Sequence, residues 1–196
     1  MKRLCLFDFD GTLISRDSLY LFAVFARGRF RTWWSIFRSL PDIFLWKTGR
    51  ISSSQAKERL FGRIFRGMAI DEFTELGKKF SSSLHRFERP EIMKIAREHI
   101  AQGAEAVIVS ASIDQWIRPW AAENGFVKVI ATEAEIGPDG RLTGKFRGPN
   151  CVGPRKVERI LEEYPDAGER EIWAYGDSSS DDPMLAMAAH PFKVGS

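Results

Sequence analysis

Two rhythms of apolar and polar positions alternate along the chain. Short apolar runs at 3–9, 106–109, 127–131, 172–175 and 192–194 are bounded by polar or glycine-containing turns, the pattern of buried strands. Segments at 91–101, 114–123, 154–163 and 183–189 carry helical spacing instead, and the third has Pro154 at its start. Residues 133–146 read as a hairpin around Pro138-Asp139-Gly140. Strands alternating with helices predict an α/β fold, a Rossmann-like parallel sheet with helices on both faces. One block interrupts the alternation. Residues 15–85 read as almost wholly helical, with Leu19, Phe22, Ala23 and Phe25 on one face and Ile51, Leu60, Ile64 and Phe65 on another. Ser52-Ser53-Ser54 before Gln55 marks one helix start, and Asp71 followed by Thr74 and Glu75 marks a second. The expected organisation is a core of residues 1–14 and 86–196 with an inserted α-helical cap over 15–85.

Charge sharpens this division. The 196 residues carry a net charge of +3, but residues 15–85 hold a balance of +7 and the remainder −4. The basic block also holds Tyr20, Phe22, Phe25, Phe30, Trp33, Trp34, Phe37, Phe44 and Trp46 among Arg27, Arg29, Arg31 and Arg38. Aromatic residues at this density read first as a cap core with a solvated basic face. The competing reading is a membrane-surface or lipid-phosphate contact. Stacking aromatics with arginine also suit nucleic acid, but no nucleic-acid motif accompanies them, so nucleic acid is not an expected partner. A 44% hydrophobic content excludes general disorder. Two cysteines, Cys5 and Cys151, form neither a disulfide framework nor a zinc pattern. Asp8 and Asp10 interrupt the first apolar run too early for a signal peptide, and a cytoplasmic location is expected.

Ligands of open α/β sheets bind beyond the carboxyl ends of the strands. Three of those ends are polar here: Asp8-Phe9-Asp10-Gly11-Thr12, Ser110-Ala111-Ser112 and Gly176-Asp177. Clustered carboxylates repel, and a hard divalent cation such as Mg²⁺ relieves them. Asp8, Asp177 and the Asp10 backbone carbonyl are candidate ligands. Lys156 and Ser110 are candidates to hold phosphate oxygens, joined by backbone N–H groups after the first strand. In such a site Asp8 is suited to nucleophilic attack on a phosphate ester and Asp10 to proton transfer.

The stretch Phe7-Asp8-Phe9-Asp10-Gly11-Thr12-Leu13 resembles the first motif, DxDGT, of the haloacid dehalogenase-like superfamily. Val107-Ile108-Val109-Ser110, Lys156 and Gly176-Asp177-Ser178-Ser179-Ser180-Asp181-Asp182 are similar to its second, third and fourth motifs. The insertion between the first two motifs is similar to the helical cap of the phosphoserine phosphatase-like branch. The resemblance implies a magnesium-dependent phosphomonoester hydrolase with an aspartyl-phosphate intermediate. It implies catalytic roles for Asp8, Asp10 and Lys156, and substrate contacts for Gly11, Thr12, Asp17, Ser110, Ala111 and Lys156. Metal binding falls to Asp8, Asp10, Asp177 and Asp181, with Asp181 orienting a metal water or Lys156. Serine phosphatases of that branch tend to carry Ser after DxD and Ser-Gly-Gly in the second motif, where this chain has Gly11 and Ser110-Ala111-Ser112. The expected substrate is a small phosphorylated metabolite or a lipid phosphate. A phosphotransferase or mutase with the same intermediate is an alternative, as is a non-catalytic phosphate-binding module.

Overall fold

The computed structural model describes residues 2–195. Its main sheet comprises β1 (Arg3–Phe7), β2 (Glu105–Ile113), β3 (Lys128–Thr132), β6 (Glu171–Gly176) and β7 (His190–Lys193). All are parallel, in the order β3-β2-β1-β6-β7. Between β3 and β6 a separate antiparallel hairpin pairs β4 (Ala134–Ile136) with β5 (Leu142–Phe146). Chain order reverses at β1, so the crevice beyond the ends of β1 and its neighbours is where such a sheet binds ligands. Alternation along β1 explains its burial on both faces. Cys5 and Phe7 enter one apolar cluster, while Leu4 and Leu6 enter the other. The sheet is flanked by α6 (Pro90–Ala101), α7 (Asp114–Glu123), α8 (Pro154–Glu163) and the short α9 (Asp182–Ala186). Several strand boundaries differ from the sequence pattern, among them β7, which begins at His190. β1 stops at Phe7 and the backbone turns from Phe9, although Asp8 N still donates to Tyr175 O at 2.8 Å, and β2 continues past Ser110 to Ile113.

Residues 15–85 hold five helices: α1 (Ser18–Arg27), α2 (Arg29–Phe37), α3 (Leu40–Lys47), α4 (Ser53–Phe65) and α5 (Ile70–Leu84). Ser52 caps α4 in a full capping box with Gln55. Asp71 lies in the first turn of α5 rather than capping it, and Ile51 precedes α4 rather than sharing its face. This block is joined to the rest by two close backbone approaches. A Cβ on Gly62 of α4 would lie 2.8 Å from the Gly144 carbonyl of β5, and one on Gly77 of α5 would lie 2.8 Å from the Gln115 carbonyl of α7. The hairpin is further bonded to the helices, with Gly67 N donating to Leu142 O at 2.8 Å and Leu142 N to Met68 O at 2.9 Å. Phe22 stacks on Trp116 of α7 with centroids 4.4 Å apart, amid Phe61, Phe65, Phe73 and Phe80.

The aromatic residues of 19–46 divide sharply, which corrects their reading as cap core. Phe22 is fully buried, but Phe30 is 83% exposed and Trp33, Trp34, Phe37 and Phe44 are exposed as well. Helices α2 and α3 pack on α1 and α4 with one side only, and their outer side exposes aromatic side chains among arginines. What holds α3 to α4 is partly ionic. Asp42, 4% exposed, accepts from Arg59 at 2.7 Å and pairs with Arg63 at 2.5 Å. Burial alone would raise the Asp42 carboxyl, but the two guanidinium groups outweigh it and hold it below the usual range. A carboxyl depressed on folding stabilises above its unfolded value and loses that contribution as pH falls through its folded value. Asp42→Asn is therefore expected to cost about 1–2 kcal/mol at pH 7. Thermal melts should show this gap between the two proteins closing as pH drops below about 4.

Candidate active site

The carboxyl ends of β1, β2 and β6 meet around one buried amine. Lys156, in the first turn of α8, is 1% exposed. Its Nζ donates to Asp8 Oδ1 at 2.5 Å, to Asp181 Oδ1 at 2.6 Å and to the Val109 carbonyl at 2.8 Å. An ammonium has three N–H donors, and all three are used. Burial opposes its charge, but Asp8 and Asp181 outweigh burial and raise Lys156 above its ordinary value. Asp181 is fixed from its other oxygen as well. Its Oδ2 accepts from Asp177 N at 3.2 Å, Ser178 N at 3.0 Å and Ser178 Oγ at 3.0 Å. Burial would raise Asp181, yet Lys156 and Ser178 hold it below the usual range.

Asp8, Asp177 and Asp181 each offer an oxygen such that the three lie within 4.8 Å of one another. Burial pushes Asp8 up to about 6, with Lys156 opposing and Asp181 and Asp177 adding to the rise. Burial and Asp181 raise Asp177 in turn. These oxygens are crowded, hard donors, the set a small divalent cation takes. Gly11 permits the crowding: it has φ +88°, and a Cβ there would lie 2.2 Å from Asp177 Oδ2.

Asp10 turns away from that cluster. Its Oδ1 accepts from Ser18 N at 3.0 Å, and its Oδ2 accepts from the Ser112 hydroxyl. Behind Ser112 stands a buried chain in which Ser18 Oγ donates to Ser112 Oγ at 3.1 Å and Trp116 Nε1 donates to Ser18 Oγ at 3.0 Å. Burial, and then Asp17, push Asp10 up to about 7 against Lys57 and the bonds from Ser112 and Ser18.

The other expected contacts are distributed unevenly. Ser110, 1% exposed, accepts from Ser112 N at 3.0 Å, and the Ala111 carbonyl accepts from Lys57 Nζ at 3.1 Å. Asp17 caps α1 by accepting from Tyr20 N at 2.8 Å. Gly11 N donates to Ile14 O at 2.7 Å and Thr12 N to Phe9 O at 3.3 Å. Thr12 is fully buried, and the Gly11 and Thr12 amides are engaged within the turn after β1. Sequence reasoning missed Ser18, Lys57 and Trp116 altogether. Ser112 had a signal, since it lies two residues beyond Ser110 and so on the same face of β2.

Two substitutions separate the roles of glycine here. Gly140, φ +72°, has nothing within 4 Å of its Cβ position. Gly140→Ala should cost only the left-handed strain, about 1 kcal/mol. Gly11→Ala adds the collision with Asp177 and is expected to cost about 3 kcal/mol or more. Urea titrations of the two variants provide the comparison.

A haloacid dehalogenase-like hydrolase family model matches residues 5–186. Protein CicA of Caulobacter vibrioides is 33% identical over 186 residues, covering 93% of this chain and 81% of the relative. A histidinol-phosphatase of Neisseria meningitidis is 25% identical, covering 99% of this chain and 90% of the relative. The structure of a phospho-aspartyl intermediate analogue of phosphoserine phosphatase superposes with a TM-score of 0.66 at 21% identity, covering 95% of this chain and 83% of the other. With this fold and the four motifs in order, the chain belongs to the haloacid dehalogenase-like hydrolase family and shares the fold of its phosphoserine phosphatase-like branch.

Proposed function

We propose that this enzyme is a magnesium-dependent phosphatase that hydrolyses phosphate monoesters through an aspartyl-phosphate on Asp8. The observation that carries the reading is the Asp8 carboxylate at the end of the central strand, held by Lys156 with Asp177 and Asp181 in reach. An Asp8 oxygen attacks phosphorus, forming an acyl phosphate as the bond from phosphorus to the alcohol oxygen breaks. Asp10 gives its proton to that leaving oxygen. A water then attacks phosphorus, Asp10 takes a proton from it, and free phosphate leaves with the Asp8 carboxylate restored. Ser112 and Ser18 hold Asp10 for both transfers, the Ser110 hydroxyl donates to a phosphate oxygen, and the Lys156 charge offsets that of the phosphoryl group without a free N–H. Asp8, Asp177 and the Asp10 carbonyl would hold Mg²⁺, with Asp181 orienting Lys156 and the loop that carries Asp177. The ion supplies positive charge against the transferring phosphoryl group. In this reading residues 1–14 and 86–196 form the catalytic core, and 15–85 form a cap that excludes water from it. The histidinol-phosphatase name of the Neisseria relative supports phosphomonoester chemistry.

Asp8→Asn should lower phosphate release at least about a thousandfold in a protein that remains folded. Chelation of divalent ions should abolish wild-type release and added Mg²⁺ should restore it. Full activity in Asp8→Asn would remove the nucleophile assignment.

We propose that the outer face of α2 and α3 rests on an anionic membrane surface from the cytoplasmic side. Phe30, Trp33, Trp34 and Phe37 are exposed there, and Arg27, Arg31, Arg38, Arg63 and Arg66 line an adjoining groove. Exposed aromatics with arginines match an interfacial helix surface. Among the described residues no helix is long and apolar enough to cross a membrane. The protein should sediment with vesicles containing phosphatidylglycerol and much less with pure phosphatidylcholine, and Trp33→Ser combined with Arg31→Glu should weaken this. Equal sedimentation with both vesicle types would refute a charge-matched surface.

A further inference from the structure

A cavity of about 440 Å³ lies between α1, α2, α3 and α4. Its size falls in the range of small-molecule pockets. Two of its lining residues connect it to the catalytic groups. Lys57 donates to the Ala111 carbonyl at 3.1 Å, between Ser110 and Ser112, and the charges of both Lys57 and Asp17 act on Asp10. Away from that end the walls are apolar, with Ala23, Ile36, Ile43, Trp46 and Leu60 among them.

Three polar side chains of the wall are already bonded, while the Tyr20 and Ser53 hydroxyls also line it. Thr32 Oγ1 donates to Gly28 O at 2.9 Å and Ser39 Oγ to Ser35 O at 2.9 Å, while Asp42 is paired with Arg59 and Arg63. Of the charged lining groups that leaves Asp17 and Lys57, and each already holds a backbone partner. Beyond the Asp17–Lys57 end and the hydroxyls of Tyr20 and Ser53, a fully polar leaving group would surrender its water to apolar walls and regain few hydrogen bonds. An apolar one loses nothing by entering.

We propose that this cavity holds the apolar portion of a phosphate monoester whose phosphate lies at Asp8, so that the enzyme takes amphiphilic phosphate esters in preference to fully polar ones. This rests on the phosphatase reading for the position of the phosphate, and it adds the chemical class of the alcohol. It also gives the cap a selective role. Asp17 and Lys57 stand where the phosphate end meets the apolar end, and α1 to α4 supply the contact area for the tail.

The test separates tail recognition from turnover. Alkylphosphonates from methyl to octyl cannot be hydrolysed at the phosphorus–carbon bond, and their binding with Mg²⁺ present can be followed by calorimetry. Affinity should rise roughly two- to fourfold per added methylene until the cavity is full. O-phosphoserine should bind more weakly than butylphosphonate. Ala56→Leu, which fills part of the cavity from α4, should flatten the rise, and Ile43→Trp should do so from α3. Trp33→Ser, on the exposed outer face and not lining the cavity, should leave it intact. Affinity independent of chain length would overturn the proposal. So would a rise that survives both filling variants and disappears in Trp33→Ser, because the tails would then be lying on the outer surface. Phosphate release from the matching alkyl phosphates is measured in parallel. A steep binding series without release defeats the phosphatase reading alone, and release from short esters with a flat binding series defeats the cavity proposal alone.

Discussion

A lysine ammonium sealed from water is tolerable only when every proton on it meets an acceptor. Lys156 satisfies that condition with acceptors from three separate parts of the chain: Asp8 after β1, Val109 within β2, and Asp181 in the turn after β6. Removing any one leaves a buried charge short of a partner. The amine therefore sets the relative positions of the three loops that make the site, and those loops in turn bring Asp177 beside Asp8. Gly11 and Gly176 follow from the same constraint, since a side chain on the first would collide with Asp177 and on the second with Asp181.

Asp10 lives under a different regime only two residues from Asp8. Lys156 does not touch it, and it is held instead by hydroxyl and amide donors from Ser112 and Ser18. Neutral donors fix its orientation without adding a full positive charge, and its rise to about 7 under burial agrees with the proton transfers proposed for it. Two carboxylates of one motif are thus placed in separate environments by their neighbours: a cation for the first, a hydroxyl chain anchored by Trp116 for the second.

The helical block is tied to the core by aromatic packing and by glycines. Phe22 on Trp116 and the Gly77 approach to Gln115 bring α1 and α5 onto α7, whose Trp116 also anchors the Ser18–Ser112 chain. Packing of the helical block and orientation of Asp10 therefore share a residue. The β4–β5 hairpin, read from sequence with the core, bonds to the helical block through Gly67, Met68 and Ile70. The aromatic residues of α2 and α3 take no part in this packing and remain on the surface.

The sequence by itself determined the parallel α/β sheet, the helical insertion, and the order and spacing of Asp8, Asp10, Ser110, Lys156, Asp177 and Asp181. These are local properties: a two-residue alternation, a 3.6-residue period, and short motifs at strand ends. The helix start at Ser52-Ser53-Ser54 was legible for the same reason, and so was the turn at Pro138-Asp139-Gly140. Only the tertiary structure decided which aromatics are buried. Phe22 and Phe30 look alike in a sequence, and their exposure depends on whether another element lies against their side of the helix. Contacts across long separations were equally hidden, among them Ser18 with Ser112 and Lys57 with Ala111. No periodicity encodes such pairs, because they arise where elements distant in the chain are packed against each other by the burial of the rest.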